Sequence, residues 1–189
     1  MEGLNIRRID FLAVSCMVAL LGSSSVVWAA IADENESYVY VLEPEARENL
    51  IAFVNEARDF VVVQGKDKAL EVFNDPNGDF TRGELYIIAY DFNGTRFAHP
   101  YLPEGIGKNA LNVTDSNGVA DVENMREVAK RGEGWTYYIW PNPAHSDAEE
   151  LKLTYVLKVD DGLWLAAGTY LRIHTPIFSN DSREDLVAF

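Results

Sequence analysis

The chain has 189 residues, 48% of them apolar, 12% aromatic and 24% charged, with one cysteine and a formal charge of −14 from 30 acids against 16 bases. That composition excludes a disordered tail, an intramolecular disulfide and a Cys/His zinc site. Nucleic acid is excluded as a partner, because no basic stripe offsets the negative charge of a phosphate backbone.

Arg7 and Arg8 precede an apolar run from Phe11 to Ala32, broken by Ser15, Gly22 and the serines at 23–25. A charged start, an apolar middle and a small-residue exit make residues 1–32 a signal peptide or an N-terminal membrane anchor. Val27-Trp28-Ala29 and Ala30-Ile31-Ala32 both suit a signal peptidase, with a mature N-terminus near Ala30 or Asp33. The same run is long enough to cross a bilayer uncleaved. Either way, residues 33–189 are expected outside the cytoplasm as one domain, secreted or tethered. Cys16 reads as an inert part of the apolar run. Sequons at Asn35, Asn93, Asn112 and Asn180 fit that location.

From Pro44 the spacing predicts a long helix over 44–62, with Leu50, Phe53, Val54, Ala57 and Val61 on one face. Gly65 interrupts it, and a second helix is predicted over 66–75. Asp75-x-Asn77-x-Asp79 resembles the start of a calcium loop, but Phe80 and Tyr86 stand where glycine and glutamate are needed, so a turn is expected. The period then changes to two. Residues 84–90 and 95–100 read as a hairpin about Asp91-Phe92-Asn93-Gly94, with the Asn-Gly pair taking positive φ. Residues 121–132 form an amphipathic helix with Val122, Met125, Val128 and Ala129 inward and Gly132 closing it. Three strands follow, over 134–140, 151–159 and 163–171, joined by a long loop at 141–150 and a tight Asp160-Asp161-Gly162 turn. The expected fold is α+β, a five-stranded antiparallel sheet with helices covering one face.

These residues carry a resemblance. Phe73-Asn74-Asp75, Phe80-x-x-Gly83-x-Leu85-Tyr86, Tyr90-Asp91-x-x-Gly94-Thr95, Ala98-His99-Pro100 and Gly107-Lys108-Asn109 occur in order. Gly134-Trp135, Tyr138, Trp140-Pro141, Lys152-x-x-Tyr155 and Gly168-Thr169-Tyr170 follow. Over residues 44–171 the chain resembles the extracytoplasmic single Cache domains of type 2. The resemblance implies a PAS-like five-stranded antiparallel sheet with a long N-terminal helix and flanking helices. It also implies a sensor of small metabolites, often short carboxylates, in chemotaxis or kinase signalling. No second apolar span, kinase or methyl-accepting module follows the core, so a separate membrane receptor or kinase is the expected partner.

Tyr138 and Trp140 share a strand face, Lys152 and Tyr155 lie on the next strand, and His99 ends the strand after the Asn-Gly turn. Aromatic walls with one cation and one imidazole suit a small organic anion, because few polar groups orient a ligand in an apolar cleft. The candidate ligand-binding residues are therefore His99, Tyr138, Trp140, Lys152 and Tyr155, with Arg96 and Lys108 as the next cations. His99, His145 and His174 stand in separate contexts without a metal pair or nucleophile signature. No catalysis, metal or cofactor is expected, and His145 is expected in an exposed loop. An enzyme subunit, an adhesion domain or a solute-capture protein are the other uses open to this fold.

Overall fold

Ser37-Tyr38-Val39-Tyr40-Val41-Leu42 is rich in β-branched and aromatic residues, which suit a pleated strand. The computed structural model describes residues 27–32, 37–42, 44–171 and 173–174. In it, Val27–Ala32 (β1) pairs antiparallel with Ser37–Leu42 (β2), and Ile173–His174 lies along the other side of β2. This three-stranded sheet belongs to one compact unit, and residues 45–171 form the other. Residues 1–26 of the expected leader, with Arg7, Arg8 and Cys16, lie outside the described residues, as do Asn35 and Asn180.

Helix α1 spans Pro44–Gln64, and its proline takes a first-turn position where no intrahelical bond is lost. Its buried residues are the five expected, Leu50, Phe53, Val54, Ala57 and Val61. Gly65, at φ 83°, ends it and leads into α2, Lys66–Phe73. Asp75 then forms a turn by accepting the Asn77 N–H at 2.9 Å.

The segment expected as one strand over 84–90 is divided. Thr81–Arg82 (β3) and Leu85–Tyr86 (β4) form a short ribbon, while Ile88–Tyr90 (β5) joins the main sheet. The change of partner falls at Ile87, whose N–H still donates to the Phe80 carbonyl in register with the β3–β4 ribbon, while Ile88 pairs with β9. Strand β6, Arg96–Ala98, pairs with β5 across the expected Asp91-Phe92-Asn93-Gly94 turn, with Tyr90 opposite Arg96. The Asp91 carboxylate accepts N–H bonds from Asn93 and Thr95 at 2.9 and 2.7 Å, so only Gly94 needs positive φ. A Cβ on Gly94 would lie 2.3 Å from Leu111 Cγ, a second reason for glycine there.

Helix α3 covers Asp121–Lys130 and buries Val122, Met125, Val128 and Ala129, as its pattern predicts. Strands β7 (Glu133–Asn142), β8 (Ala148–Asp160) and β9 (Leu163–Tyr170) form a meander. The antiparallel order is β6-β5-β9-β8-β7, so β9 closes the sheet by pairing with β5, Ala166 opposite Ile88. The expected long loop at 141–150 is mostly strand. The ladder runs on to Asn142 opposite Ala148, which leaves a short tip with Ser146 and Asp147 in the left-handed region. Pro141 is tolerated because β7 is an edge strand, where a missing N–H donor faces no neighbour.

Helices pack on both faces rather than the one expected. Leu163, Leu165 and Ala167 of β9 join Leu50, Phe53 and Val54 of α1 on one face. Trp164 and Ala166 join Val122, Met125 and Val128 around α3 on the other. The reason is visible in β8 and β9, which are apolar at consecutive positions, as strands covered on both sides must be.

Candidate ligand-binding site

Strand β8 alternates, so Lys152 and Val156 face α3 while Tyr155 and Leu157 face α1. The register sets Tyr138 of β7 on one side of Lys152 and Tyr170 of β9 on the other. Lys152 is 2% exposed, with Nζ 3.8 Å from the Tyr86 ring centroid and 4.9 Å from that of Tyr170. Aromatic faces attract a desolvated ammonium, by about 2 kcal/mol in favourable cases, far less than its lost hydration. Burial accordingly pushes Lys152 down to about 7, with the Glu84 carboxylate acting weakly the other way. Among the described residues no carboxylate forms an ion pair with it. Gly168 makes room for the lysine stem: a Cβ there would lie 2.7 Å from Lys152 Cε and 2.4 Å from Thr154 Oγ1.

His99 is 3% exposed at the end of β6. Its backbone N–H donates to Asn74 Oδ1 at 3.0 Å, which pins the strand end to α2. Its Nδ1 accepts the Tyr101 N–H at 3.3 Å, which leaves the proton of the neutral ring on Nε2 as a donor. Burial, then the charges of Lys152 and Arg96, hold the imidazole well below its ordinary value. Its ring lies 5.2 Å from that of Tyr86 and 6.1 Å from that of Trp140, which is edge-on to Tyr138 at 5.9 Å. Tyr138 is buried and its hydroxyl raised well above the usual phenol range by that burial. His99, Tyr138, Trp140 and Lys152 are thus brought together on the α3 face.

Tyr155 is not. Three residues from Lys152, an odd spacing, it points to the opposite face. There its ring meets Trp135 at 5.0 Å and its hydroxyl donates to Glu133 Oε2 at 2.8 Å. Burial, then Glu133, push that hydroxyl up to about 12. Lys108 stays in a loop. Arg96, however, is 7% exposed on the α3 face, with Nε donating to the Tyr90 hydroxyl at 2.9 Å. The Pro103–Gly105 turn passes close over it, since a Cβ on Gly105 would fall 2.0 Å from Arg96 Nη1. His145 is exposed at the β7–β8 tip, its Nδ1 2.6 Å from Glu150 Oε1. A shallow depression of about 610 Å³ on the α1 side includes Glu56 and Arg82, which already satisfy each other at 2.9 Å.

The sequence profile of the family described as single Cache domain 2 matches residues 62–171, more than half of the chain. The chain belongs to this family. Over 87 residues this Cache domain is 31% identical to the sensor histidine kinase MctS of Rhizobium johnstonii, a stretch covering 46% of this chain and 19% of the kinase. Its fold is similar to that of a methyl-accepting chemotaxis protein from Vibrio parahaemolyticus, with TM-score 0.59 and 24% identity over 67% of this chain and 88% of that one. It is also similar to a Cache chemosensory domain whose structure is titled for carboxylic acid recognition, with TM-score 0.51 and 20% identity over 67% and 88%. Sensory signal transduction is the common setting of these proteins.

Tyr86 and Tyr170, whose rings face the Lys152 ammonium, are absent from the residues expected in the site. Tyr170 is within reach of sequence reasoning, because the tight turn at 160–162 fixes the β8–β9 register and sets it opposite Lys152. Tyr86 is not, since its position depends on the break at Ile87.

Proposed function

We propose that this Cache domain binds a short organic carboxylate on the α3 face, outside the cytoplasm, and reports occupancy to a receptor or kinase partner. Lys152 carries the reading: a buried ammonium facing aromatic rings, with no carboxylate paired to it among the described residues. Isolated buried charge is costly, and an anion is the group that would offset it. The neutral His99 supplies an Nε2–H donor to the same anion, Arg96 adds positive potential, and Tyr138 and Trp140 wall the site. A domain of net charge −14 repels anions in bulk, so local cations are what such a ligand requires. The chemosensory neighbour titled for carboxylic acid recognition supports the same class. Residues 1–32 act in this reading as leader or tether, and terminal sequencing of the native protein distinguishes the two.

The test is titration calorimetry of the full chain and Lys152→Met with acetate, propanoate and related acids. Methionine keeps most of the stem's packing and removes the charge. One charge-assisted bond is worth about 1.5–3 kcal/mol, so affinity should fall roughly ten- to hundredfold. Equal affinity in a folded Lys152→Met variant would overturn the assignment.

A further inference from the structure

Asn74 follows the last residue of α2 with backbone angles still in the helical region, and its own N–H donates to the Leu70 carbonyl at 3.1 Å. A capping role is complete with that bond, yet the side chain makes further ones. Its Nδ2 donates to the Leu70 carbonyl at 2.9 Å and to the Phe97 carbonyl at 3.0 Å, while Oδ1 accepts the His99 N–H at 3.0 Å. Both amide protons and the acceptor are used. The reversed amide would set its oxygen against two carbonyls, so the contacts decide which way it points. An amide side chain carries the donor and acceptor of a peptide group, and this one holds the backbone on both sides of Ala98.

Strand β6 needs such a hold. It has three residues at the edge of the sheet, and its ladder ends at Ala98 opposite Ala89. His99 comes next and is followed by Pro100, which has no N–H to continue a ladder. Beyond the strand, the His99 carbonyl accepts the Leu102 N–H at 3.2 Å and its Nδ1 accepts the Tyr101 N–H at 3.3 Å. With Asn74 on its N–H, one residue is held at the backbone donor, the backbone acceptor and one ring nitrogen. Nε2 is the ring atom left to carry the proton of the neutral imidazole. That ring lies 5.2 Å from the Tyr86 ring, which Lys152 Nζ approaches to 3.8 Å, so both groups lie against the same tyrosine.

We propose that Asn74 is a positioning residue for ligand binding: its amide fixes the end of β6 so that His99 presents Nε2–H to the same anion as Lys152. This rests on the carboxylate reading above. A hydrogen bond to a ligand depends on where its donor points, and at His99 that direction is set by the backbone Asn74 holds.

Two measurements on the full chain test it. Nitrogen NMR of the imidazoles reads His99 without any ligand, with His145 at the β7–β8 tip as internal reference. In the wild type, His99 should keep one neutral tautomer, Nε2–H, as the pH falls through roughly 6.5, the ordinary imidazole value. In Asn74→Ala the ring should show mixed tautomers or take up a proton in that range. Asn55→Ala removes a similar helix bond on α1, Nδ2 to the Ile51 carbonyl at 2.9 Å, and should leave the His99 ring unchanged. The second measurement is calorimetry with propanoate, run as a double-mutant cycle. Asn74→Ala should weaken binding about three- to tenfold, but by less than about twofold when His99 is already alanine. An unchanged His99 spectrum in folded Asn74→Ala, or equal losses of affinity in the two backgrounds, overturns this inference alone. Should Asn74→Ala fail to fold, Asn74→Ser keeps a polar group at the helix end and carries the same measurements. A wild-type ring with mixed tautomers overturns the inference without any variant. If neither propanoate nor a related short acid binds the wild type, the carboxylate reading falls, and the His99 spectra decide by themselves whether Asn74 positions the ring.

Discussion

The two faces of one sheet are built from the same strands by opposite rules. On the α1 face, Phe53, Phe60, Phe73 and Phe80 pack ring against ring, with Phe73 and Phe80 edge-on at 4.9 Å. On the α3 face, Lys152, His99, Arg96, Asp121 and Thr154 are buried among tyrosines and Trp140. The first face stabilises by removing apolar surface from water. The second gives up stability by desolvating charged groups, Lys152, Arg96 and Asp121, that form no ion pair among the described residues. Alternation along a strand lets the two coexist one residue apart, as Lys152 and Leu153 or Tyr155 and Val156 show. A sensor needs both, because a site can be poorly satisfied only where the rest of the core holds the fold.

The largest break in this comparison is Phe73→Ala. Phe73 is 0% exposed and meets both Phe60 and Phe80, so its loss should cost about 3–5 kcal/mol in denaturant unfolding. A cost below about 1 kcal/mol, the scale of an ordinary surface change, would mean that the α1 face is not the stabilising one.

A second, smaller effect is expected from pH. Lys152 falls from 10.5 to about 7 on folding, so between those values the unfolded chain binds more protons. Stability of the free domain should therefore rise with pH across that window, and the penalty is fully present below about 7. An anion that needs the charged lysine draws in a proton as it binds. Carboxylate affinity should then weaken above about pH 7, by up to about tenfold per pH unit. Calorimetry in two buffers of different ionisation heat measures that uptake. Flat affinity between roughly pH 6.5 and roughly pH 8.5, a span that brackets the shifted lysine, would show that Lys152 does not meet the ligand as a cation.

The smallest effect belongs to Tyr155→Phe, which removes the hydroxyl bond to Glu133 on the α1 face. Stability should fall by no more than about 1 kcal/mol, and ligand affinity should stay within about twofold because the proposed site lies on the other side of the sheet. A tenfold loss of affinity would return Tyr155 to the site.

Much of the fold is legible in the sequence because its signals are local. The inward faces of α1 and α3 follow from spacing alone, since every residue expected inward is buried. The stretches that depart from expectation, 84–90 and 141–150, both depend on distant partners. The 84–90 stretch changes partner at Ile87, from the β3–β4 ribbon to β9, and Pro141 stays in a strand because β7 is an edge. Strand parity separates Tyr155 from Lys152, although the Lys152-x-x-Tyr155 motif joins them along the chain.

The sequence by itself determined where α1, α2, α3 and most of the main-sheet strands run, that residues 44–171 form an α+β layer, and that Tyr138, Trp140 and Lys152 are polar or aromatic groups at strand positions, with His99 at a strand end. Period, turn chemistry and motif order are properties of neighbours along the chain, so no folding is needed to read them. Only the tertiary structure decided that β9 lies between β8 and β5, that helices cover both faces, and that Arg96 lies close enough to His99 and Lys152 to share their face. It also decided which of these groups lost their water. Desolvation depends on what packs over a residue from elements far away in the chain, and that is what sets the buried Lys152 apart from an ordinary strand lysine.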